Sequence, residues 1–361
     1  METAVSRDWS GLHEELILIV MWALGIPDLL RAGAVCASSA AFASPSPCLL
    51  YSSAGADDDD DTATIYSPAT GAAFKVRLPP PAFRGRHVVG TAHGWVVTDD
   101  EASNLQALNP LTGAQVDLPL VTGLHHVEPC PDGRHGRPAY NLYEKELGPD
   151  TPSVCTAREL RVFIYHRVFL SCSPSAGAGC VVLLMHKQRG EMSYARIGDG
   201  RWALITANET VPSGGGYGCA AYNDNDGMWY VLISNCSIYS FDLNGPSPTA
   251  RKIIQKGILW DDPTSYIVFS PWGDILHIWR YVELRTLTNP IWVPAEHAHE
   301  VWDPCSESYT YEMKLYKVDV APPGRPLPSS TYSTKLRRHP TGERLPGSEA
   351  HADWDQDCRG A

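Results

Sequence analysis

The side chains that could bind a metal ion lie in three short clusters. Residues 296–300 (EHAHE) hold two histidines and two carboxylates, but the spacing does not match the HExxH motif, and the histidines would share a face only on a strand. In the pair His125-His126, an extended backbone would turn the two rings to opposite faces. Residues 57–61 are five consecutive aspartates without the glycine and spacing of a calcium loop. These patterns predict a solvated acidic loop and no functional metal site.

The sequence contains no complete motif for phosphate binding or for nucleophilic catalysis. Residues 214–218 (GGGYG) are glycine-rich, but no Lys-Ser/Thr follows and no βαβ pattern surrounds them. The chain has no GxSxG motif, and none of its ten cysteines forms a CxxC pair. We therefore predict a non-enzymatic protein without a cofactor. An enzyme with its site in the central channel of a repeat domain stays an alternative, which titratable residues converging there would reveal.

The first elements along the chain are predicted to be two short helices. Ser10 is a suitable N-cap, Gly25 ends the first helix and Pro27 opens the second. The apolar residues that recur at helical spacing are Leu12, Leu16, Ile19, Val20 and Ala23, then Leu29, Leu30, Ala34 and Val35. Residues 16–24 (LILIVMWAL) are all apolar, which exceeds what one buried face needs and leaves side chains for a partner. The alternative is that these helices cap a larger core.

An internal repeat then indicates the fold of the long middle region. Residues 65–71 (IYSPATG) return 42 residues later as residues 107–113 (ALNPLTG), and each copy predicts a strand, a turn ending in glycine and a second strand. In a second repeat, Gly94 precedes Asn109 by the same fifteen residues that separate Gly227 from Asp242. A period near 42 residues with four short strands is typical of a β-propeller blade. Residues 62–320 would hold about six such units; a two-sheet sandwich is the alternative but does not require the repeat.

The sequence thus divides into four predicted parts. Residues 8–48 form the helical segment, 49–61 an acidic linker, 62–320 a mainly β propeller that includes a strand in the run 160–170, and 321–361 a disordered tail. The tail is rich in proline and charge and shows no apolar alternation that would close the last blade, so the propeller is expected to be incomplete or to have a thin closing blade.

Charge and hydropathy limit the classes of binding partner and the cell compartment that we expect. Lys+Arg is 29 and Asp+Glu is 41, a net charge of −12 that disfavours binding to nucleic acid or to an anionic membrane. The apolar run 16–24 is too short to span a bilayer and is wrongly flanked for a secretory signal. We therefore expect the cytosol or the nucleus, with the cysteines as reduced core residues.

Two sets of segments resemble a plant protein family. The first resembles an F-box and comprises residues 8–20 (DWSGLHEELILIV), 26–31 (IPDLLR) and 34–36 (AVC). The second resembles the plant domain of unknown function 295, also described as a KIB-like β-propeller, and comprises residues 93–95 (HGW), 109–110 (NP), 161–165 (RVFIY), 239–246 (YSFDLNGP), 270–274 (SPWGD) and 314–319 (KLYKVD).

The resemblance implies a receptor subunit of an SCF-type ubiquitin ligase. An F-box would bind a Skp adaptor of a cullin-based ligase, and the propeller would bind an unknown protein substrate. The residues that match the adaptor-binding positions are Leu12, Leu16, Ile19, Ile26, Leu29 and Val35.

Three departures from the family pattern support an alternative reading. His13 stands where the family has proline, Ser39 stands where it has tryptophan, and the family's last strands have no counterpart in the tail. The alternative is a propeller-type binding protein with a decayed F-box and no ligase role.

Overall fold

The computed structural model describes residues 13, 16, 19, 47–52, 61–68, 71–134, 137–143, 151–186, 190–206, 216–233, 236–245, 247–254, 264–270, 272–286, 306–318 and 332–337. The chain divides into two compact units. The first comprises Met1–Arg86 with Leu108–Gln115, and the second comprises His87–Ala107 with Val116–Ala361.

Across the described ranges the strands form six antiparallel sheets, and each strand pairs with its neighbours in chain order. The first sheet contains β1 (Leu49–Tyr51), β2 (Thr62–Ser67) and β3 (Ala72–Arg77). The second contains β4 (Val88–Ala92), β5 (Trp95–Asp99), β6 (Leu105–Leu108) and β7 (Gln115–Asp117). The third contains β8 (Val127–Arg134), β9 (Arg137–Leu142) and β10 (Ser153–Thr156).

The other three sheets have four strands each. The fourth contains β11 (Tyr165–Leu170), β12 (Val181–His186), β13 (Met192–Arg196) and β14 (Ala203–Ile205). The fifth contains β15 (Tyr217–Asn223), β16 (Met228–Ile233), β17 (Ile238–Asp242) and β18 (Thr249–Ile254). The sixth contains β19 (Thr264–Phe269), β20 (Ile275–Thr286), β21 (Ser306–Val318) and β22 (Tyr332–Arg337). The predicted mainly β class, with about six sheet-forming units, is confirmed.

Burial differs between the second and the last strands of these sheets. Every residue of β5 (WVVTD) and β12 (VVLLMH) is buried, because second strands of these sheets are covered on both faces. Last strands such as β3 and β7 have exposed residues at alternate positions. The second unit is filled from the inner strands, and its largest fully buried side chains include Trp229, Tyr239 and Phe241.

The turn glycines of the internal repeat occupy equivalent positions. Gly71 lies between β2 and β3 with φ 67°, and Gly113 lies between β6 and β7 with φ 71°. The amide of Gly71 donates to the carbonyl of Ser67 and that of Gly113 donates to Asn109, both at 2.9 Å. The prediction of matched turns with positive φ is confirmed, since only glycine adopts this backbone conformation without strain.

The second repeat also corresponds to matched turns. Gly94 joins β4 to β5 with φ 76°, and Gly227 joins β15 to β16 with φ 70°. Both glycines therefore link the first and second strands of a four-stranded sheet.

One helix interrupts the predicted run of strands. The segment predicted as a strand over 160–170 is a helix, α1 (Ala157–Ile164), followed by β11. Thr156 and Glu159 form a capping box, in which the Thr156 hydroxyl accepts from the Glu159 amide and the Glu159 carboxylate accepts from the Thr156 amide. The buried residues of α1 are Ala157, Leu160 and Ile164, which is helical spacing. The predicted strand over 160–170 is therefore wrong for residues 160–164, where the capping box and the helical spacing of the buried residues produce a helix, and it is confirmed for Tyr165–Leu170.

A strand also lies within the predicted disordered tail. β22 pairs with β21, with Leu336 opposite Leu315 and Arg337 opposite Lys314. The prediction that residues 321–361 hold no strand was wrong for these six residues. Tyr332, Thr334 and Leu336 alternate with Ser333, Lys335 and Arg337, which is the period of a strand. The rest of the predicted tail lies outside the described residues.

Candidate protein-binding surfaces

The predicted adaptor-binding residues are described at two positions only. Leu16 and Ile19 are helical, and they are 50% and 62% exposed. The amide of Leu16 donates to the carbonyl of His13 at 2.9 Å. Residues three apart on a helix lie on one face, so these two side chains share a surface. Leu12, Ile26, Leu29 and Val35 lie outside the described residues.

A larger surface in the second unit is built from three turns, residues 224–227, 242–245 and 272–274, which we call the acidic turn surface. The Asn244 side-chain amide donates to the carbonyl of Gly227 at 3.0 Å, which joins the first two turns. A Cβ placed on Gly273 would lie 3.6 Å from the side-chain nitrogen of Asn225, which places the third turn beside the first. Neighbouring sheets therefore contribute to one continuous surface.

Short polar side chains shape these turns. The carboxylate of Asp226 accepts from the amide of Met228 at 3.0 Å, and that of Asp242 accepts from the amide of Asn244 at 2.9 Å. Asp and Asn favour such turns because their side chains bond to the backbone two residues on. Gly273 has φ 91°, which allows the third turn to close.

Trp272 is the most exposed large apolar side chain among the described residues, at 76%. Its indole nitrogen donates to Asp274 at 2.7 Å, and Lys317 forms an ion pair with the other oxygen of that carboxylate at 2.9 Å. The hydrogen bond with Lys317 and then that with Trp272 hold the pKa of Asp274 below its usual value. A tryptophan oriented in this way is suited to fill a pocket on a partner, because such residues dominate protein interfaces.

The charge around Trp272 is mainly negative. Asp224 and Asp226 are exposed, and Asp274 lies beside the indole. The Tyr230 hydroxyl donates to Asp226 at 2.8 Å, and burial together with this carboxylate raises the pKa of Tyr230 to about 12. Lys317, Arg251 and Arg196 are nearby cations, and the Arg196 guanidinium donates to the carbonyl of Leu243 at 3.3 Å. The surface therefore matches a partner segment that combines an apolar side chain with basic residues.

A smaller apolar group lies on and beside α1. Val162 and Phe163 are 50% and 41% exposed on the helix, and Val154 is 43% exposed on β10. These exposed apolar side chains make this group a second candidate surface for protein contact.

Asp99 is the one described carboxylate whose pKa is raised. It accepts from the amide of His87 at 3.0 Å and pairs with Arg161 at 3.2 Å. Burial raises the pKa of Asp99 even though these partners favour its charged form. Its contacts tie β5 to α1, which is a structural role.

The structure describes the metal-binding candidates from the sequence only in part. Residues 296–300 lie outside the described residues, and of the acidic run only Asp61 is described, where it pairs with Arg77 at 3.0 Å. His125 and His126 do not have the extended backbone for which opposite-facing rings were expected. They lie in a turn rather than a strand, and their ring centroids are 4.6 Å apart.

The sheets and turns define a β-propeller protein whose surfaces suit protein binding. A family model described as the KIB1-4 beta-propeller matches residues 65–325. The chain belongs to the KIB1-4 β-propeller family, and the predicted KIB-like propeller is confirmed.

In the part of the chain that the structure describes, no helix has the length and apolarity to cross a membrane.

The chain is similar to several solved structures at low identity. The β-propeller domain of Myceliophteria thermophila Cps50 (Swd1) is 9% identical with a TM-score of 0.35, over 77% of this chain and 80% of that one. The Malassezia sympodialis allergen Mala s 1 is 9% identical with a TM-score of 0.33, over 71% and 80%. Kluyveromyces lactis Hsv2 is 7% identical with a TM-score of 0.31, over 70% and 79%. A comparison with curated proteins gives no match.

Proposed function

We propose that this chain is the substrate-recognition subunit of an SCF-type ubiquitin ligase. Residues 8–48 bind a Skp adaptor, the propeller binds a protein substrate, and the cullin-based ligase transfers ubiquitin. The protein itself is not an enzyme, acts in the cytosol or nucleus, and binds neither nucleic acid nor membrane. The observation that carries the proposal is the exposed helical pair Leu16 and Ile19 ahead of a β-propeller, a domain that suggests a protein-binding role.

Adaptor binding is tested by changing that pair. The double variant Leu16→Asp, Ile19→Asp should lose a co-expressed Skp adaptor, because burying an unpaired carboxylate costs several kcal/mol. Leu120→Asp is the matched control, since Leu120 is 57% exposed in the second unit. If the double variant retains the adaptor as well as the control does, the F-box assignment fails.

The acidic turn surface is the substrate-binding surface in this proposal. On a peptide array, basic peptides with one large apolar residue should bind the full chain, and acidic peptides should not. Trp272→Ala should weaken that binding by about 30-fold, as expected for a central aromatic contact. Phe163→Ala on α1 serves as the control, and selective loss in that variant would assign substrate binding to α1 instead.

The alternative is a propeller-type binding protein without a ligase role. His13 and Ser39, at positions where the family has proline and tryptophan, favour it. It predicts that Trp272-dependent peptide binding persists while no Skp adaptor co-purifies with the wild-type chain.

A further inference from the structure

Four side chains that can ligate a metal meet at one place in the second unit. His125 and His126 lie in the turn before β8, His186 is the last residue of β12, and Glu191 directly precedes β13. The amide of His186 donates to the carbonyl of Glu191 at 2.9 Å, which places the end of β12 beside the residue that precedes β13. Segments of two different sheets are therefore brought together by imidazoles and a carboxylate.

The distances suit coordination of a single ion. The His125 Nε2 lies 3.3 Å from a Glu191 carboxylate oxygen, and one ligand atom from each of His125, His126 and Glu191 falls within 4.8 Å of the others. Ligands on a tetrahedral zinc ion at about 2.0–2.1 Å are separated by about 3.4 Å. His125 is exposed, and rotation of its ring is the adjustment that this spacing would require.

Two of the imidazole rings in this cluster are buried and packed against each other. The His126 and His186 rings are buried, with centroids 5.1 Å apart, and His186 Nε2 lies 2.9 Å from the Ser193 hydroxyl. His125 Nδ1 lies 3.4 Å from His126 Nδ1. Two imidazoles and a carboxylate are a donor set that zinc and similar divalent transition ions accept.

We propose that His125, His126 and Glu191 bind a divalent transition-metal ion, with zinc as the ion that fits the donor set. His186 packs against this site through His126. The ion would fasten the turn before β8 to Glu191 at the start of β13, and so link the third sheet to the fourth. This stabilising role is independent of ubiquitin ligase activity and of the acidic turn surface.

Zinc titration of the full chain tests this proposal. Chelator-treated protein should take up one equivalent of zinc in competition with a chromophoric chelator, and its melting temperature should rise with zinc. Glu191→Gln and His125→Gln should each weaken the binding by about tenfold or more and remove the rise in melting temperature. His125 is exposed, so its variant keeps the test valid if Glu191→Gln fails to fold.

Two controls separate this site from the other histidines. His166→Gln, at an exposed position, should bind zinc as the wild type does. The double variant His297→Gln, His299→Gln should also retain the equivalent of zinc. The proposal is overturned if the wild type takes up no saturable equivalent, if the Glu191 and His125 variants bind normally, or if binding disappears only in the 297/299 variant.

Discussion

The guanidinium of Arg161 on α1 lies 3.2 Å from the buried carboxylate of Asp99 on β5. Replacing Arg161 with Ala would leave that carboxylate buried with less compensation for its charge. We expect the free energy of unfolding to fall by about 3 kcal/mol, as for other buried pairs that lose one partner. Urea denaturation measures this, and Arg158→Ala on the exposed side of α1 is the control, with a change below about 0.5 kcal/mol.

The same carboxylate makes stability depend on pH. Burial raises the pKa of Asp99 above 3.8, so the folded state takes up this proton at a higher pH than the unfolded state. As pH falls from neutral through the raised pKa, protonation of Asp99 should therefore increase the free energy of unfolding of the wild type. Over that pH range, the free energy of unfolding of the wild type should increase relative to that of Asp99→Asn. A shift in the opposite direction would show that the pairing with Arg161 outweighs burial.

Gly113→Ala should destabilise the β6–β7 turn through backbone strain alone. Its φ is 71°, and an added Cβ would meet no atom within 4 Å. A left-handed conformation costs a residue with a Cβ about 1–2 kcal/mol. Gly85→Ala is the matched control, because its added Cβ also meets nothing and its φ is not positive. Equal unfolding midpoints for the two variants would contradict this account of the repeat.

Deleting β22 tests the correction at the C-terminus. A chain ending at residue 331 loses the strand that pairs with β21, and its melting temperature should fall by about 3 °C or more. A chain ending at residue 337 keeps this pairing and should melt as the full chain does. Thermal denaturation of the two truncations side by side gives the answer, and equal melting temperatures would show that β22 adds no stability.

The repeated turns were predictable because their chemistry is local. A Pro-x-Thr-Gly sequence sets its own backbone geometry, so Gly71 and Gly113 could be assigned to matched turns without tertiary information. The buried strands β5 and β12 consist mainly of apolar residues, a composition that indicates burial without tertiary information. α1 was not predicted because residues 160–170 are apolar enough for a strand. The Thr156–Glu159 capping pair lies ahead of that run, and so does Ala157, the first buried residue of the helical pattern.

The candidate sites were less predictable because they depend on residues far apart in the sequence. Trp272 belongs to residues 270–274, one of the segments that resemble the family. Its exposure and its hydrogen bond to Asp274 depend on how the sheet places these residues. The metal-binding cluster joins His125 and His126 to Glu191, more than sixty residues away, and no spacing rule connects them. The signal that could have indicated the turn at 125–126 is its position directly ahead of a strand.

The most direct test of the central claim is the composition of the complex formed with a Skp adaptor. Full chain and adaptor, co-expressed and measured by size-exclusion chromatography with light scattering, should elute as one complex of equal stoichiometry. A chain lacking residues 1–48 should elute without the adaptor and still bind the Trp272-dependent peptides. Separate elution of the full chain and the adaptor would contradict the proposed role as a ligase receptor and leave a propeller that binds proteins by itself.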